Sequence, residues 1–208
     1  LNEEPGSHAA RFAEAHGPCA PSMAFRVSDA RLAFERALSL GAEAADPANG
    51  PKTLDAPAIK GIGGSLLYFV DRYGPKGSAY DAEFEWLGER DPKPEGNGLY
   101  YLDHLTHNVA RGRMDVWAGF YERLFNFREI RYFDIKGEYT GLFSRALTSP
   151  DGKIRIPINE SADENSQIEE YLHAYKGEGI QHIACGCRDI HATIEGLRAN
   201  GLAFMPSP

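Results

Sequence analysis

Residues 23–41, MAFRVSDARLAFERALSLG, and residues 183–201, IACGCRDIHATIEGLRANG, carry one pattern twice. Laying Met23 on Ile183 sets Ala24 against Ala184, Asp29 against Asp189, Glu35 against Glu195 and Gly41 against Gly201. The identities are few, but they fall on a helix cap and a helix stop, where the backbone demands particular residues. Met23–Val27 alternates in polarity, as a strand with one buried face does. Ser28 or Asp29 can cap the helix that follows. Its apolar positions Leu32, Ala33, Phe34, Ala37 and Leu38 recur at helical spacing before Gly41. The second copy predicts a strand over 179–187, a helix over 189–199 and a stop at Gly201.

A fuller unit lies between the copies. Leu102–Val109 suits a strand, and Met114, Trp117, Tyr121 and Leu124 line one face of a helix. Strands are expected over 127–135, 140–147 and 154–158, the last two joined at Pro150-Asp151-Gly152. One strand, one helix and three strands make a βαβββ module. Leu66–Val70, after the turn at Gly61-Ile62-Gly63-Gly64, reads as a buried strand of the first module. The proline- and glycine-rich stretch DPKPEGNG, 91–98, reads as a linker, dividing the chain into 1–97 and 98–208. The fold class is α+β: repeated βαβββ modules whose small sheets pair around a cleft. The last module is incomplete, because a lone strand and helix after Gly179 cannot cover their own apolar faces. With the opening LNEEPGS, this gives the expectation of a chain truncated at both ends.

Composition excludes several classes. The 208 residues are 42% hydrophobic and 25% charged, as in soluble globular proteins and unlike fibrous or disordered ones. Leu66–Val70, the longest apolar stretch near the middle, is too short to cross a bilayer, so no membrane partner is expected. The net charge is −8, with both halves about Asn97 acidic. No basic track for a phosphate backbone results, and nucleic acid is not expected as a partner. Cys19, Cys185 and Cys187 cannot build a disulfide framework, so a reducing, cytoplasmic setting is expected.

Of the seven histidines, His8, His16, His173 and His191 read as surface residues. His104 and His107 are three apart, which on a strand turns them to opposite sides. His104 shares its side with Thr106 and Asn108. His107 goes with Leu105 and Val109 and reads as a core histidine. His182 shares its side with Ala184 and Gly186, whereas Ile183, Cys185 and Cys187 occupy the other. A zinc site of His182, Cys185 and Cys187 would need both faces, so the cysteines read as small core residues. His104 and His182 remain, each on the first strand of a module. Spacing alone leaves open whether they are unrelated or meet on one metal.

Five strings give more. LDHLTHNVARGRM (102–114), FYERLFNFREIRYFDIKGEYTGLFSRAL (120–147), IRIPINE (154–160), SQIEEYL (166–172) and GEGIQHIA (177–184) resemble the 4-hydroxyphenylpyruvate dioxygenase family. The likeness extends more weakly through PAIKGIGGSLLYFVDRYG (57–74) and MAFRVSDA (23–30) to the first residues. It implies the vicinal-oxygen-chelate fold, in agreement with the repeat. It also implies a non-haem Fe(II) held by two histidines and a glutamate. His104 and His182 match the histidine motifs. The glutamate belongs to strands beyond Pro208, and the role passes to none of Glu160, Glu169 or Glu178. Without it, this chain alone is expected to be inactive.

The resemblance further implies that Ser144, Asn159, Gln167 and Gln181 bind substrate, with Ser144, Asn159 and Gln181 also serving catalysis. The implied partners are 4-hydroxyphenylpyruvate and O2, the products homogentisate and CO2 in tyrosine breakdown, and the assembly a homo-oligomer. Ser22 stands where His182 would fall, so 1–97 is expected to be structural. Hydroxymandelate synthase on the same substrate, a divalent-metal isomerase and a non-catalytic binding module of this fold are the alternatives.

Overall fold

In the computed structural model, residues 4–45, 54–89, 91, 95–136 and 141–205 are described. Helix α1 (His8–His16) starts where the Ser7 hydroxyl accepts from the Ala10 amide. Strand β1 (Ser22–Arg26) buries Met23 and Phe25 and exposes Ala24 and Arg26, the two-residue period seen in the sequence. Asp29 caps α2 (Ala30–Ser39) by accepting from the Leu32 amide at 2.8 Å, and Gly41 follows at φ +86°. Strands β2 (Ala58–Lys60) and β3 (Leu66–Val70) complete a sheet ordered β1-β3-β2, with β1 parallel and β2 antiparallel to β3.

Three expectations change in this half. Leu32 and Leu38 lie exposed, because α2 packs through the narrower face of Ala30, Ala33, Phe34 and Ala37. The strand that directly follows the helix in a full βαβββ unit is reduced, among the described residues, to a single bridge between Ala44 and Ile59. His8 and His16 are half-buried rather than solvated. His16 stacks on Tyr175 with ring centroids 4.4 Å apart.

The short helix α3 (Ala79–Glu83) leads toward the linker, of which 92–94 lie outside the described residues. Beyond it come β4 (Leu99–Val109), α4 (Met114–Phe125), β5 (Arg128–Lys136), β6 (Gly141–Thr148) and β7 (Arg155–Ser161), the expected βαβββ order. The expected start of β6 at Thr140 lies outside the described residues, and β7 runs on to Ser161. Helix α5 (Gln167–Tyr175), β8 (Gly179–Cys187) and α6 (Ile190–Ala199) follow, with Ser166 and Asp189 as caps. The second sheet is ordered β5-β6-β7-β4-β8. Strand β4 is parallel to β7 and antiparallel to β8, the first strand of the next repeat.

One core joins the two sheets. Phe25 of β1 stacks on Phe127 and meets Phe125 edge-on, above Val109, Tyr121, Leu147, Ile156 and Ile158. Each such fully buried aliphatic side chain contributes about 1.5–3 kcal/mol relative to exposure. At Gly63, φ is +59° and a Cβ would collide with the Glu178 carbonyl, so glycine alone lets this turn seat against the entry to β8. Cys185 is exposed and Cys187 only half-buried, against the core reading. They lie on an edge strand whose outer side is uncovered among the described residues.

Candidate metal centre

Alternation along β4 sends Leu105, His107 and Val109 into the core and leaves His104 and Thr106 on the opposite face. Pairing carries that face across the sheet: Asn108 opposes Asn159, which opposes Ser144. The Asn159 side-chain amide donates to Asn108 Oδ1 at 3.5 Å, and Ser144 and Asn108 are buried. On the other flank Thr106 opposes His182, and His104 opposes Ala184. The two histidines are thus diagonal neighbours on adjacent antiparallel strands, a placement within reach of long rings. Their Nε2 atoms are 3.4 Å apart and their ring centroids 5.4 Å apart.

Two β-bulges aim the rings. Asp103 is an extra residue on β4 between the Leu102–Cys185 and His104–Ala184 pairs. Gln181 is an extra residue on β8 between the Thr106–His182 and His107–Ile180 pairs. Each bulged residue turns back onto the histidine that follows it. His104 Nδ1 donates to Asp103 Oδ2 at 2.8 Å, and His182 Nδ1 to the Gln181 side-chain carbonyl. The hydrogen bonds from His104 and then Tyr101 hold the Asp103 carboxyl below the usual carboxylate range. An ionised carboxylate only accepts, so the proton of neutral His104 sits on Nδ1 and Nε2 keeps its lone pair. Burial, and then the nearby His104, lower the pKa of His182. Its Nε2 accepts from the Thr106 hydroxyl at 3.0 Å.

The other titratable groups are engaged elsewhere. His107 is fully buried, with Nε2 2.6 Å from the Tyr121 hydroxyl, and burial lowers its pKa from 6.5 to about 4. Glu160 accepts from the Met114 amide at the start of α4. Glu178 accepts from the Ala110 amide and the Trp117 indole, and Glu169 pairs with Arg111. A cavity of about 340 Å³ lined by Met114, Tyr132, Phe143, Arg145 and Glu160 opens on the α4 side of the sheet, away from the histidines.

The structure therefore brings together His104, His182, Ser144 and Asn159 on one face. Gln181 touches His182, a contact that alternation alone did not foretell. Gln167 stands exposed at the first position of α5, and no hydrogen bond joins it to the other five among the described residues. Sequence reasoning left three groups without a role: Asp103, Arg155 and the hydroxyl of Thr106. The acid directly before His104 was the available signal.

Two imidazole nitrogens 3.4 Å apart can share one ion, since bonds of about 2.1 Å on each side reach across that gap. No group of three or more His, Cys, Asp or Glu side chains suited to one ion occurs among the described residues. The pair fits two corners of a metal site and leaves the remaining corners to other ligands.

A βαβββ unit with the first strand of the next repeat beside β4 is the architecture of a vicinal-oxygen-chelate protein. The family model described as Glyoxalase/Bleomycin resistance protein/Dioxygenase superfamily matches residues 101–208, and the chain belongs to that superfamily. Membership implies a metal cofactor. Residues 1–85 match a second model, Hydroxyphenylpyruvate dioxygenase, HPPD, N-terminal. The chain is 58% identical over 208 residues to a 4-hydroxyphenylpyruvate dioxygenase of Pseudomonas aeruginosa, covering all of this chain and 58% of that protein. It is equally similar, 58% over 210 residues, to hemolysin VllY of Vibrio vulnificus, again spanning 58% of its length. Among solved structures, a triple mutant of 4-hydroxymandelate synthase from Streptomyces coelicolor superposes with a TM-score of 0.81 at 25% identity. That match covers 99% of this chain and 60% of the other.

Proposed function

We propose that the protein is a non-haem Fe(II)-dependent dioxygenase that converts 4-hydroxyphenylpyruvate and O2 to homogentisate and CO2. One observation carries the reading: two imidazoles with opposed Nε2 atoms stand on the same face as Ser144 and Asn159. The 58% identity to a 4-hydroxyphenylpyruvate dioxygenase supports the substrate. His104 and His182 supply the two protein nitrogens that hold the iron, with a carboxylate as the third ligand. Ferrous iron supplies a chelation point for a 2-oxo acid and a means of activating O2.

The chain's own groups do the rest. Asp103 and Gln181 fix the two rings through Nδ1. Thr106 releases the His182 lone pair when that nitrogen is engaged. Ser144 and the amide of Asn159 donate hydrogen bonds that orient the substrate's oxygens. Gln181 and Gln167 add polar contacts at its rim. The buried Asn108 holds Asn159 in place. The portion 98–208 carries the reaction and 1–97 buttresses it through the shared aromatic core. A cytoplasmic homo-oligomer completes the reading, supported by the free cysteines and by the exposed Leu99, Tyr100 and Leu102.

Oxygen uptake by the iron-loaded whole protein on 4-hydroxyphenylpyruvate tests it, with product analysis alongside. Homogentisate is the expected product. Hydroxymandelate would identify the synthase chemistry of the structural relative, and no oxygen uptake would sink the dioxygenase reading.

A further inference from the structure

The two supports behind the histidines are alike in geometry and unlike in charge. Asp103 and Gln181 occupy equivalent bulges, each one residue before its histidine, and each takes that histidine's Nδ1 proton. One acceptor is a carboxylate and the other a neutral amide. The carboxylate is itself braced. Arg155 Nη1 lies 2.8 Å from Asp103 Oδ1, and the Tyr101 hydroxyl donates to the same oxygen at 2.9 Å. Arg155 is the direct partner of His104 across β4 and β7. Tyr101 fits beside Asp103 because its ring occupies the place of a Cβ on Gly186. Among the described residues no such brace meets Gln181, which is exposed.

We propose that Asp103 is the positioning residue of the metal centre: held by Arg155 and Tyr101, it makes His104 the anchoring ligand and leaves His182 the weaker of the two. The proposal rests on the reading of His104 and His182 as metal ligands. A carboxylate behind an imidazole locks its tautomer, fixes its plane and raises the electron density on the far nitrogen. A neutral amide fixes the ring without the charge. The brace spares Asp103 the entropy of finding its histidine. It also keeps the Asp103 proton acceptor turned toward Nδ1, because Oδ1 is already taken by Arg155 and Tyr101.

Co(II) is a suitable probe, since its binding is read by absorbance without turnover. On the whole protein, Asp103→Asn is expected to raise the Co(II) dissociation constant about 10–100-fold, the usual cost of losing an outer carboxylate. Gln181→Ala should cost less than Asp103→Asn, and Asp103→Glu should recover part of the loss. In the proton spectrum of the Co(II) protein, Asp103→Asn should shift one solvent-exchangeable imidazole N–H signal and leave the other in place. If Asp103→Asn fails to fold, Arg155→Gln carries the test: weaker Co(II) binding is expected, and binding like the parent's would overturn the proposal.

An Asp103→Asn protein, folded by circular dichroism, that binds Co(II) like the parent would overturn the proposal. So would a larger loss from Gln181→Ala. If His104→Ala itself binds Co(II) like the parent, the ligand reading fails instead.

Discussion

His107 offers the sharpest test of how the site face and the core face of β4 are divided. The ring is fully buried, and its Nε2 meets the Tyr121 hydroxyl at 2.6 Å. Burial drives its pKa from 6.5 down to about 4. Folding therefore keeps His107 neutral, whereas the unfolded chain takes up a proton below pH 6.5. The contribution is complete above pH 6.5 and is lost as pH falls toward 4, where the folded protein protonates too. At about 1.36 kcal/mol per pKa unit, lowering the pH from 7 to 5 should remove about 2 kcal/mol of stability through this residue alone. The comparison protein is His107→Leu with Tyr121→Phe, which removes both members of the pair and strands neither. Urea unfolding at pH 7 and pH 5 gives the loss for each protein. Other titrating groups, His182 among them, act in both and cancel. The parent should lose about 2 kcal/mol more than the double variant. Equal losses, within about 0.5 kcal/mol, would show that folding does not hold His107 neutral and that the core side of β4 is misassigned.

Metal analysis of the whole protein should show iron lost from His104→Ala and from His182→Ala, and retained in His107→Ala at a cost in stability. Ser144→Ala and Asn159→Ala should each lower kcat/KM about tenfold, the scale of one hydrogen bond of about 1.4 kcal/mol, with iron content unchanged by elemental analysis. Glu160→Ala removes the acceptor at the start of α4, so its unfolding free energy should fall by about 1 kcal/mol while metal content stays constant. Loss of metal from Glu160→Ala would instead make Glu160 a ligand.

The sequence carried most of the fold because its signals were local. Asp29, Asp189, Gly41 and Gly201 announce caps and stops through backbone chemistry that needs no tertiary context. The alternation in β4 separated His104 from His107 correctly, and the buried face of α4 was legible in Met114, Tyr121 and Leu124. Side choice on α2 was less legible. Leu32 and Leu38 fit the helical period, but which arc of the helix meets β3 depends on the neighbour's shape. The burial of Cys185 and Cys187 was misread for a related reason, since a strand's own sequence does not say whether it lies at the edge of its sheet. The contact of Gln181 with His182 was not legible, because a strict two-residue period has no place for a bulge, and the extra residue shows only once β8 is laid beside β4.

That register also explains how duplication brings two imidazoles 78 positions apart in sequence within 3.4 Å of each other. Adjacent antiparallel strands are related by a local two-fold axis, so equivalent residues of two repeats face each other across it. His104 and His182 each sit one pair from the axis, His104 beside Ala184 and His182 beside Thr106, and the offset brings the rings together diagonally. A direct pairing would have pressed the two rings against each other at the spacing of opposed side chains. A one-residue slip would have sent one ring to the other face. The bulges at Asp103 and Gln181 add a residue on each strand, which restores the register after each kink and supplies an acceptor for each Nδ1. Symmetry therefore provides the pair of nitrogens, and a departure from it places a carboxylate behind one ring and an amide behind the other.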